Sequence, residues 1–339
     1  MNAPAHQACL PHPLESLFVA TTTMCNFHCV FCAYPKTSLK RQVMPHADFE
    51  TYIQEANRFG YRSFNLTPLV GEPLTDPLFI QRLLYLESHP GVLDYYFSTN
   101  LTLADEQFLA TLSGLKKLRW LSISLYGQDE ESFQTLTCAS PVVYRSLLAR
   151  LRDLSNYTEL LQHTVLKIRT TSRDYAPNPS ELLGMVEQLS GQGAQVRVPG
   201  GLSNWSGMVD PKELEKLGLQ TRQIDMPHTG PCVFLFKPVV LPDGRVNACS
   251  VGDGNATLVI GSLKQTGFMD LISAANPLYM ALIHAHLGSH KPQVCQGCTA
   301  FRGLSEKGFS YPFHRREPIN LAGMLDWLEG NAHRGISFS

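Results

Sequence analysis

The chain has 339 residues, 44% apolar and 17% charged, with a net charge of −1 from 28 Lys+Arg against 29 Asp+Glu. That is the composition of a globular protein with a substantial core, and it excludes a disordered chain. No basic run stands out and no apolar stretch approaches the ~20 residues of a membrane span, which argues against a nucleic-acid footprint and a transmembrane helix. The N-terminus, MNAPAHQACLPHP, lacks the basic start and apolar run of a signal peptide, so a cytoplasmic protein with reduced thiols is expected. Nine cysteines in such a chain argue for metal binding or catalysis rather than disulfides.

Residues 1–15 carry prolines and no periodicity and read as a lead-in; Cys9, within it, reads as a free surface thiol. Leu17 to Thr22 is a short apolar run and predicts the first strand. At its C-terminal end follows Cys25-x3-Cys29-x2-Cys32. Three thiols this close cannot form three structural disulfides, but they can surround one inorganic core. A tetrahedral zinc site would need a fourth ligand. A cubane iron–sulfur cluster could take three thiolates and leave one iron open. His28 is the nearby candidate for a fourth ligand, although its place in the tight loop points its ring outward.

Ala47 to Phe59 reads as a helix ended by Gly60, and Ser63 to Thr67 as the second strand. After Val70-Gly71-Glu72-Pro73, Asp76-Pro77 predicts an N-cap with proline at the first position of a helix through Ser88. Leu93 to Ser98 is the third strand, followed by Thr99-Asn100 and a helix over Ala104 to Leu112. Leu118 to Leu125 alternates as the fourth strand and ends in Tyr126-Gly127; helical segments then run to about Leu154. Gln162 to Thr170 is the fifth strand, Ser180 caps a helix to Leu189, and Ala194 to Pro199 is the sixth strand. Six strand–helix units of this kind predict a parallel α/β sheet, either open or a partial barrel. In both, ligands bind at the carboxyl ends of the strands. The cysteine loop, the Gly71-Glu72-Pro73 turn, Asn100 and Tyr126-Gly127 all fall at such ends.

Beyond residue 205 the pattern changes. Val239 to Ala248 reads as a hairpin turned at Asp243-Gly244. Cys232 precedes it, Cys249 ends it, and Cys295-Gln296-Gly297-Cys298 follows a mostly helical stretch from Met269 to Leu287 that Pro277 interrupts. Four cysteines flanking so little core suggest a metal staple. A polar extension with one short helix near Leu321 to Leu328 closes the chain. The expected division is a lead-in over 1–15, a barrel over 16–205, a small cysteine domain over 206–305 and an extension over 306–339.

With these residues in view, the chain resembles the SPASM/twitch branch of the radical S-adenosylmethionine (SAM) superfamily over about 16–300. The resemblance implies a partial (β/α)6 TIM-like barrel followed by a small twitch/SPASM-like domain. It implies that Cys25, Cys29 and Cys32 hold a SAM-binding [4Fe–4S] cluster. Gly71-Glu72-Pro73 matches the motif that meets the SAM amine, with Val70 in place of its first glycine. Asn100 matches a ribose ligand, and Ser122 and Ser124 match positions contacting ribose or carboxylate. Asn204-Trp205-Ser206-Gly207 matches a turn at the barrel exit. Where the family often carries Arg-Gly to bind the SAM carboxylate, this chain reads Thr137-Cys138; Arg169 or Arg197 is the expected substitute. Cys232, Cys249, Cys295 and Cys298 match the ligands of one auxiliary [4Fe–4S] cluster, with zinc as the alternative.

The resemblance further implies a 5′-deoxyadenosyl radical that abstracts hydrogen from a carbinol carbon of a small hydroxylated metabolite, a sugar or aminocyclitol. Oxidation would send an electron to the auxiliary cluster; epimerisation would need a thiol donor, for which Cys138 is the candidate. The expected partners are the small-molecule substrate and an electron donor such as flavodoxin or ferredoxin, with no nucleic acid and no membrane. Only 24 residues precede Cys25, which leaves no space for the peptide-recognition domain of peptide-modifying relatives. Lys36, Lys40 and Arg41 read as a solvated face or as contacts for an anionic substrate. The alternatives are a peptide maturase and a zinc- or cluster-stapled binding protein.

Overall fold

Alternation of side-chain chemistry along short parallel strands sets the architecture. The computed structural model describes residues 14–169, 180–199, 201–222, 228–288, 290–304 and 321–335; Cys9 and the Thr170 end of the expected fifth strand lie outside these. Strand β1 (Ser16–Val19) leads through the cysteine loop and a 3-10 turn at Tyr34–Lys36 into α1 (His46–Phe59). Then come β2 (Ser63–Asn65), a 3-10 turn at Pro73–Thr75, α2 (Phe79–Ser88), β3 (Asp94–Thr99), α3 (Glu106–Gly114) and β4 (Leu118–Tyr126). Helices α4 (Glu130–Thr137), α5 (Pro141–Leu154) and α6 (Thr158–Leu161) precede β5 (Thr164–Arg169), α7 (Glu181–Gly191) and β6 (Gln195–Arg197). The C-terminal part holds α8 (Pro211–Lys216), β7 (Val239–Val240), β8 (Arg245–Asn247), β9 (Val259–Ser262), α9 (Phe268–Leu271), α10 (Pro277–Leu287), α11 (Gln293–Gln296) and α12 (Leu321–Gly335).

The strands form one sheet in the order β6-β5-β4-β3-β2-β1-β7-β8-β9. Neighbours from β1 to β6 are all parallel. On its other side β1 pairs with β7, in register Phe18↔Val239, and not with β6. The barrel is therefore partial, and β8 and β9 extend it antiparallel.

Because strand side chains alternate, strands β1 to β5 each serve two compartments, while β6 stays exposed at the edge. Leu17, Val19, Phe64, Phe97, Leu121, Ile123, Leu166 and Ile168 are fully buried. They belong to the core shared with the helices, to which α1 contributes Phe49, Tyr52, Ile53 and Ala56. The alternate positions Ser16, Asn65, Ser98, Ser122 and Lys167 line an internal chamber instead. Phe18, Tyr96, Trp120 and Val165 line it as well, so this face of the sheet sets polar side chains among apolar ones around a space open to ligands. Among the described residues, no helix is long and apolar enough to cross a membrane.

Local signals act mostly as the sequence predicts. Ser180 accepts from the Leu183 N–H (3.2 Å) to start α7, and Gly60, with φ of 120°, ends α1. Two differ. Asp76 does not cap α2, which begins at Phe79. Its carboxylate is spent on the Leu78 N–H (2.9 Å) and on a fully buried ion pair with Arg82 Nε (2.7 Å). Pro277 does not interrupt a helix. It opens α10 at the first turn, where its missing N–H costs nothing, and Asn276 caps it. Strand β9 was not legible in the sequence.

Arg82 also donates to the Met44 carbonyl and lies over the Phe49 ring at 5.0 Å, so the pair fastens α2 to the entry of α1. Removing one partner strands a buried charge. Asp76→Ala is expected to lower unfolding stability by about 3–5 kcal/mol, measured by chemical denaturation; a loss under 1 kcal/mol would contradict this role.

Candidate active site and two cysteine groups

The loop after β1 carries Cys25, Cys29 and Cys32 to the carboxyl edge of the sheet. Backbone and side-chain bonds hold it from several directions. The His28 and Val30 N–H groups donate to the Thr137 (3.1 Å) and Leu136 (3.0 Å) carbonyls at the end of α4. Tyr34 Oη donates to the Cys25 carbonyl (3.0 Å). Arg41 donates to the Tyr34 carbonyl (2.8 Å) and stacks on the Tyr34 ring at 3.9 Å, so this cation is structural. Lys36 pairs loosely with Glu213 (3.8 Å) at the surface. His28 is exposed.

The loop at 70–72 is pressed against this one. Gly71 has φ of 138°, and a Cβ there would sit 2.7 Å from the Met24 carbonyl oxygen. Only glycine accepts both that torsion and that approach. The Glu72 N–H donates to the same carbonyl (2.7 Å). The buried Glu72 carboxylate accepts from Thr99 Oγ1 (2.5 Å), the Asn100 N–H (2.7 Å) and the Leu74 N–H (3.2 Å). Burial pushes its carboxyl up to about 7, while those three bonds pull the other way. Asn100 donates through Nδ2 to Asn26 in the cysteine loop (2.9 Å), and its Oδ1 accepts from Thr102.

Above the sheet these residues border a hollow of about 440 Å3, lined by Cys32, Gly71, Glu72, Asn100, Ser124, Tyr126 and Arg169. Arg169 reaches Ser124 Oγ at 3.4 Å and lowers the cost of ionising the Cys29 and Cys32 thiols. The structure thus brings Gly71, Glu72, Asn100, Ser124 and Arg169 to one hollow beside the cysteines. Ser122, two residues earlier on the same face of β4, lines a second chamber of about 300 Å3 nearer the strands' N-terminal ends. Arg197 lines that lower chamber as well. Cys138 caps α4 in left-handed geometry (φ 57°); its thiol is exposed and lines neither space.

Cys232, Cys249, Cys295 and Cys298 line one small cavity. Its walls include Phe234, Val251 and Ala300, which also border the upper hollow. The turn at Asn204 to Gly207 ties the two cysteine groups together. Trp205 Nε1 donates to the Phe31 carbonyl (3.2 Å), Asn204 Nδ2 to the Gly297 carbonyl (2.8 Å) and Ser206 Oγ to the Gly252 carbonyl (2.9 Å).

Both groups suit an iron–sulfur core. Four sulfurs receive backbone N–H bonds: Cys25 from Phe27 (3.5 Å), Cys32 from Tyr34 (3.4 Å), Cys249 from Gly252 (3.4 Å) and Cys232 from Arg302 (3.5 Å). Burial pushes the Cys25 and Cys295 thiols up to about 12 and Cys249 to about 11, and raises Cys29 and Cys232 strongly. Such thiols ionise only beside added positive charge, which a metal core supplies. Among the described residues, no three His, Cys, Asp or Glu side chains converge as the ligands of a single ion would.

Lys167, Lys237, Trp205 and Val251 were not singled out as site residues by the sequence, Trp205 being read as packing. A buried lysine on a strand gives no signal of its own until the strand's face is known.

Residues 19–167 match the radical SAM superfamily. A probable GTP 3′,8-cyclase of Thermoplasma volcanium is 24% identical over 176 residues, half of each chain. Another, of Saccharolobus islandicus, is 29% identical over 126 residues, 37% of this chain and 39% of that one. The chain therefore aligns with half or less of the length of these curated relatives. In fold, it is similar to BtrN in complex with AdoMet and 2-DOIA, with a TM-score of 0.55 at 16% identity over 85% of this chain and 94% of that one. It is also similar to Streptococcus suis SuiB bound to precursor peptide SuiA, with a TM-score of 0.50 at 15% identity over 86% and 70% of the two chains. The three-cysteine loop and the Gly71-Glu72 turn both lie inside the span that matches the radical SAM superfamily, on the partial parallel barrel whose fold is similar to that of BtrN.

Proposed function

We propose that this chain is a radical SAM enzyme that oxidises a carbinol carbon of a small hydroxylated metabolite, using Cys25, Cys29 and Cys32 for the SAM-binding cluster and the four C-terminal cysteines for an auxiliary one. The superfamily's cofactors, a [4Fe–4S] cluster and SAM, together supply a 5′-deoxyadenosyl radical when bound and reduced, and that radical takes one hydrogen atom from a C–H bond.

The rest of the work falls to this chain's residues. Glu72 presents a buried carboxylate to the SAM ammonium from the edge of the upper hollow. Its three protein donors occupy only part of its lone-pair capacity. Arg169 offers a guanidinium to the SAM carboxylate, in place of the Arg-Gly pair that Thr137-Cys138 does not provide. Asn100 and Ser124 present polar groups at ribose height. Tyr126, packed on Phe31 at 5.2 Å, shields the reacting centre from water. Residues 206–305 form the auxiliary unit in this reading.

The observation that carries oxidation over epimerisation is the shared wall. Phe234, Val251 and Ala300 separate the four-cysteine cavity from the upper hollow, so an electron acceptor there borders the substrate. Cys138 is exposed and lines neither the upper hollow nor the lower chamber, which favours another fate for the substrate radical than a hydrogen atom from its thiol.

Iron and sulfide per chain after anaerobic reconstitution test the ligand assignment. About eight irons are expected in the wild type and about four in the Cys25→Ala/Cys29→Ala/Cys32→Ala variant, with SAM cleavage lost. About four irons in the wild type, vanishing in the variant, would remove the auxiliary cluster and the oxidation with it. Gly71→Ala forces a strained torsion and a backbone clash; it is expected to lower SAM affinity at least tenfold by calorimetry while the auxiliary irons remain.

The Glu72 assignment has a pH signature. Only the ionised carboxylate pairs with an ammonium, and its titration near 7 lies within the working range. SAM affinity is expected to fall about tenfold from pH 8 to pH 6. Glu72→Gln should bind weakly with a flat profile, once SAM's own titration is subtracted. A wild-type profile parallel to that of the variant would refute the pairing.

A further inference from the structure

We propose that Lys167 is the catalytic base of the oxidation, taking the proton of the substrate's hydroxyl as the carbonyl forms. This rests on the oxidative reading above and adds a residue to it.

Oxidation of a carbinol removes a hydrogen atom, a proton and an electron. The carbinol carbon gives its hydrogen atom to the 5′-deoxyadenosyl radical. The hydroxyl gives its proton to a neutral amine, and the remaining electron passes to the auxiliary [4Fe–4S] cluster, so that C=O replaces CH–OH. The wall of Phe234, Val251 and Ala300 offers the electron its way out. The proton needs an acceptor in the same hollow, and the choice there is narrow. Arg169, Arg222 and Arg302 line it, but a guanidinium stays protonated in a protein. Burial pushes the Tyr126 phenol strongly up, so it stays neutral and accepts a proton poorly. Glu72 faces the SAM ammonium in this reading, and Cys32 serves the first cluster. Among the described residues lining the hollow, that leaves Lys167.

Its position suits the task. Lys167 stands on β5 between Ser124 of β4 and Arg197 of β6 in the parallel register. Among the described residues, it is the one charged residue that lines both the upper hollow and the lower chamber. In the lower chamber it shares the space with Arg119, Arg197 and Lys237. Among the described residues, no hydrogen-bond acceptor or carboxylate engages its ammonium. Burial, with the Arg169 and Arg197 guanidinium groups, pushes it down to about 8. At pH 7 about one amine in ten is then neutral, against about one in three thousand for an ordinary lysine. A base that titrates near the working pH is an effective one.

The test uses the reconstituted enzyme with SAM and dithionite, without oxygen, and glucosamine and scyllo-inosamine as probes. 5′-Deoxyadenosine and carbonyl product are counted separately. The wild type is expected to form both, with carbonyl formation rising about tenfold from pH 7 to pH 9. Lys167→Met and Lys167→Arg, checked for the wild-type melting curve and iron content, are expected to form 5′-deoxyadenosine while the carbonyl product falls about a hundredfold or more and loses that rise. Arginine keeps the charge but accepts no proton, so carbonyl formation restored in Lys167→Arg overturns the base. A second readout needs no substrate. Acylation of the wild type by acetic anhydride, followed at Lys167 by mass spectrometry, is expected to titrate with a midpoint of about 8. A midpoint in the ordinary lysine range, or no acylation, overturns the proposal whether or not the variants fold. If the wild type oxidises neither probe, the oxidative reading falls and the base with it. If the wild type oxidises a probe and Lys167→Met does so equally well, the base alone falls.

Discussion

One buried carboxylate holds the upper end of this protein together. Glu72 gathers donors from its own turn and from the end of β3, while its backbone N–H holds the carbonyl just before the first cysteine. Hydrogen bonds to a charged group contribute about 1.5–3 kcal/mol each. Without them, a carboxylate this deep would be neutral or displaced. The arrangement fixes two loops that share no sequence neighbourhood, and Gly71 lets the third participant, the cysteine loop, lie in direct contact. In the proposed function, ligand contact and architecture converge on this one residue, because a group that is to meet a cation inside a protein has to be held in place before the cation arrives.

Below this level the barrel departs from a packed core. The inward positions of a closed parallel barrel are normally filled by bulky apolar side chains. Here serines, an asparagine, lysines and arginines share them with Phe18, Tyr96, Trp120 and Val165, and they leave two spaces with some lining residues in common. The apolar energy of the fold comes instead from the outward positions under the helices. Strands β1 to β5 can be short, because each buries one face and asks the other only to line a cavity, whereas β6 is exposed at the edge.

Much of this was legible in the sequence. The six strands could be read because each combined an apolar run with a nearby turn or cap, and the cysteine loop because its spacing has little other use. Glu72 and Asn100 could be placed at strand ends, but not their bond to one another, which joins β2 and β3 across 28 residues. The side-by-side reading of Ser122 and Ser124 was right about the face and silent about height: 2 residues of rise put them in different spaces. Asp76 reads locally as a cap, and only the tertiary contact with Arg82 shows why it is buried elsewhere. Lysines 167 and 237 carry no local signal, since their meaning depends on which way a strand faces.

The pairing of β1 with β7 sets the order in which the site can be finished. Phe18 and Val239 are neighbours in space but lie at opposite ends of most of the chain. During synthesis, β1 to β6 emerge first and leave β1 with an open edge. Contacts so distant in sequence form late and slowly. The wall that β7 and the following cysteines supply is therefore absent while the cysteine loop is already outside the ribosome. The first three thiols are therefore made but still uncovered on the nascent chain, and the sheet closes over them only once translation has passed the hairpin.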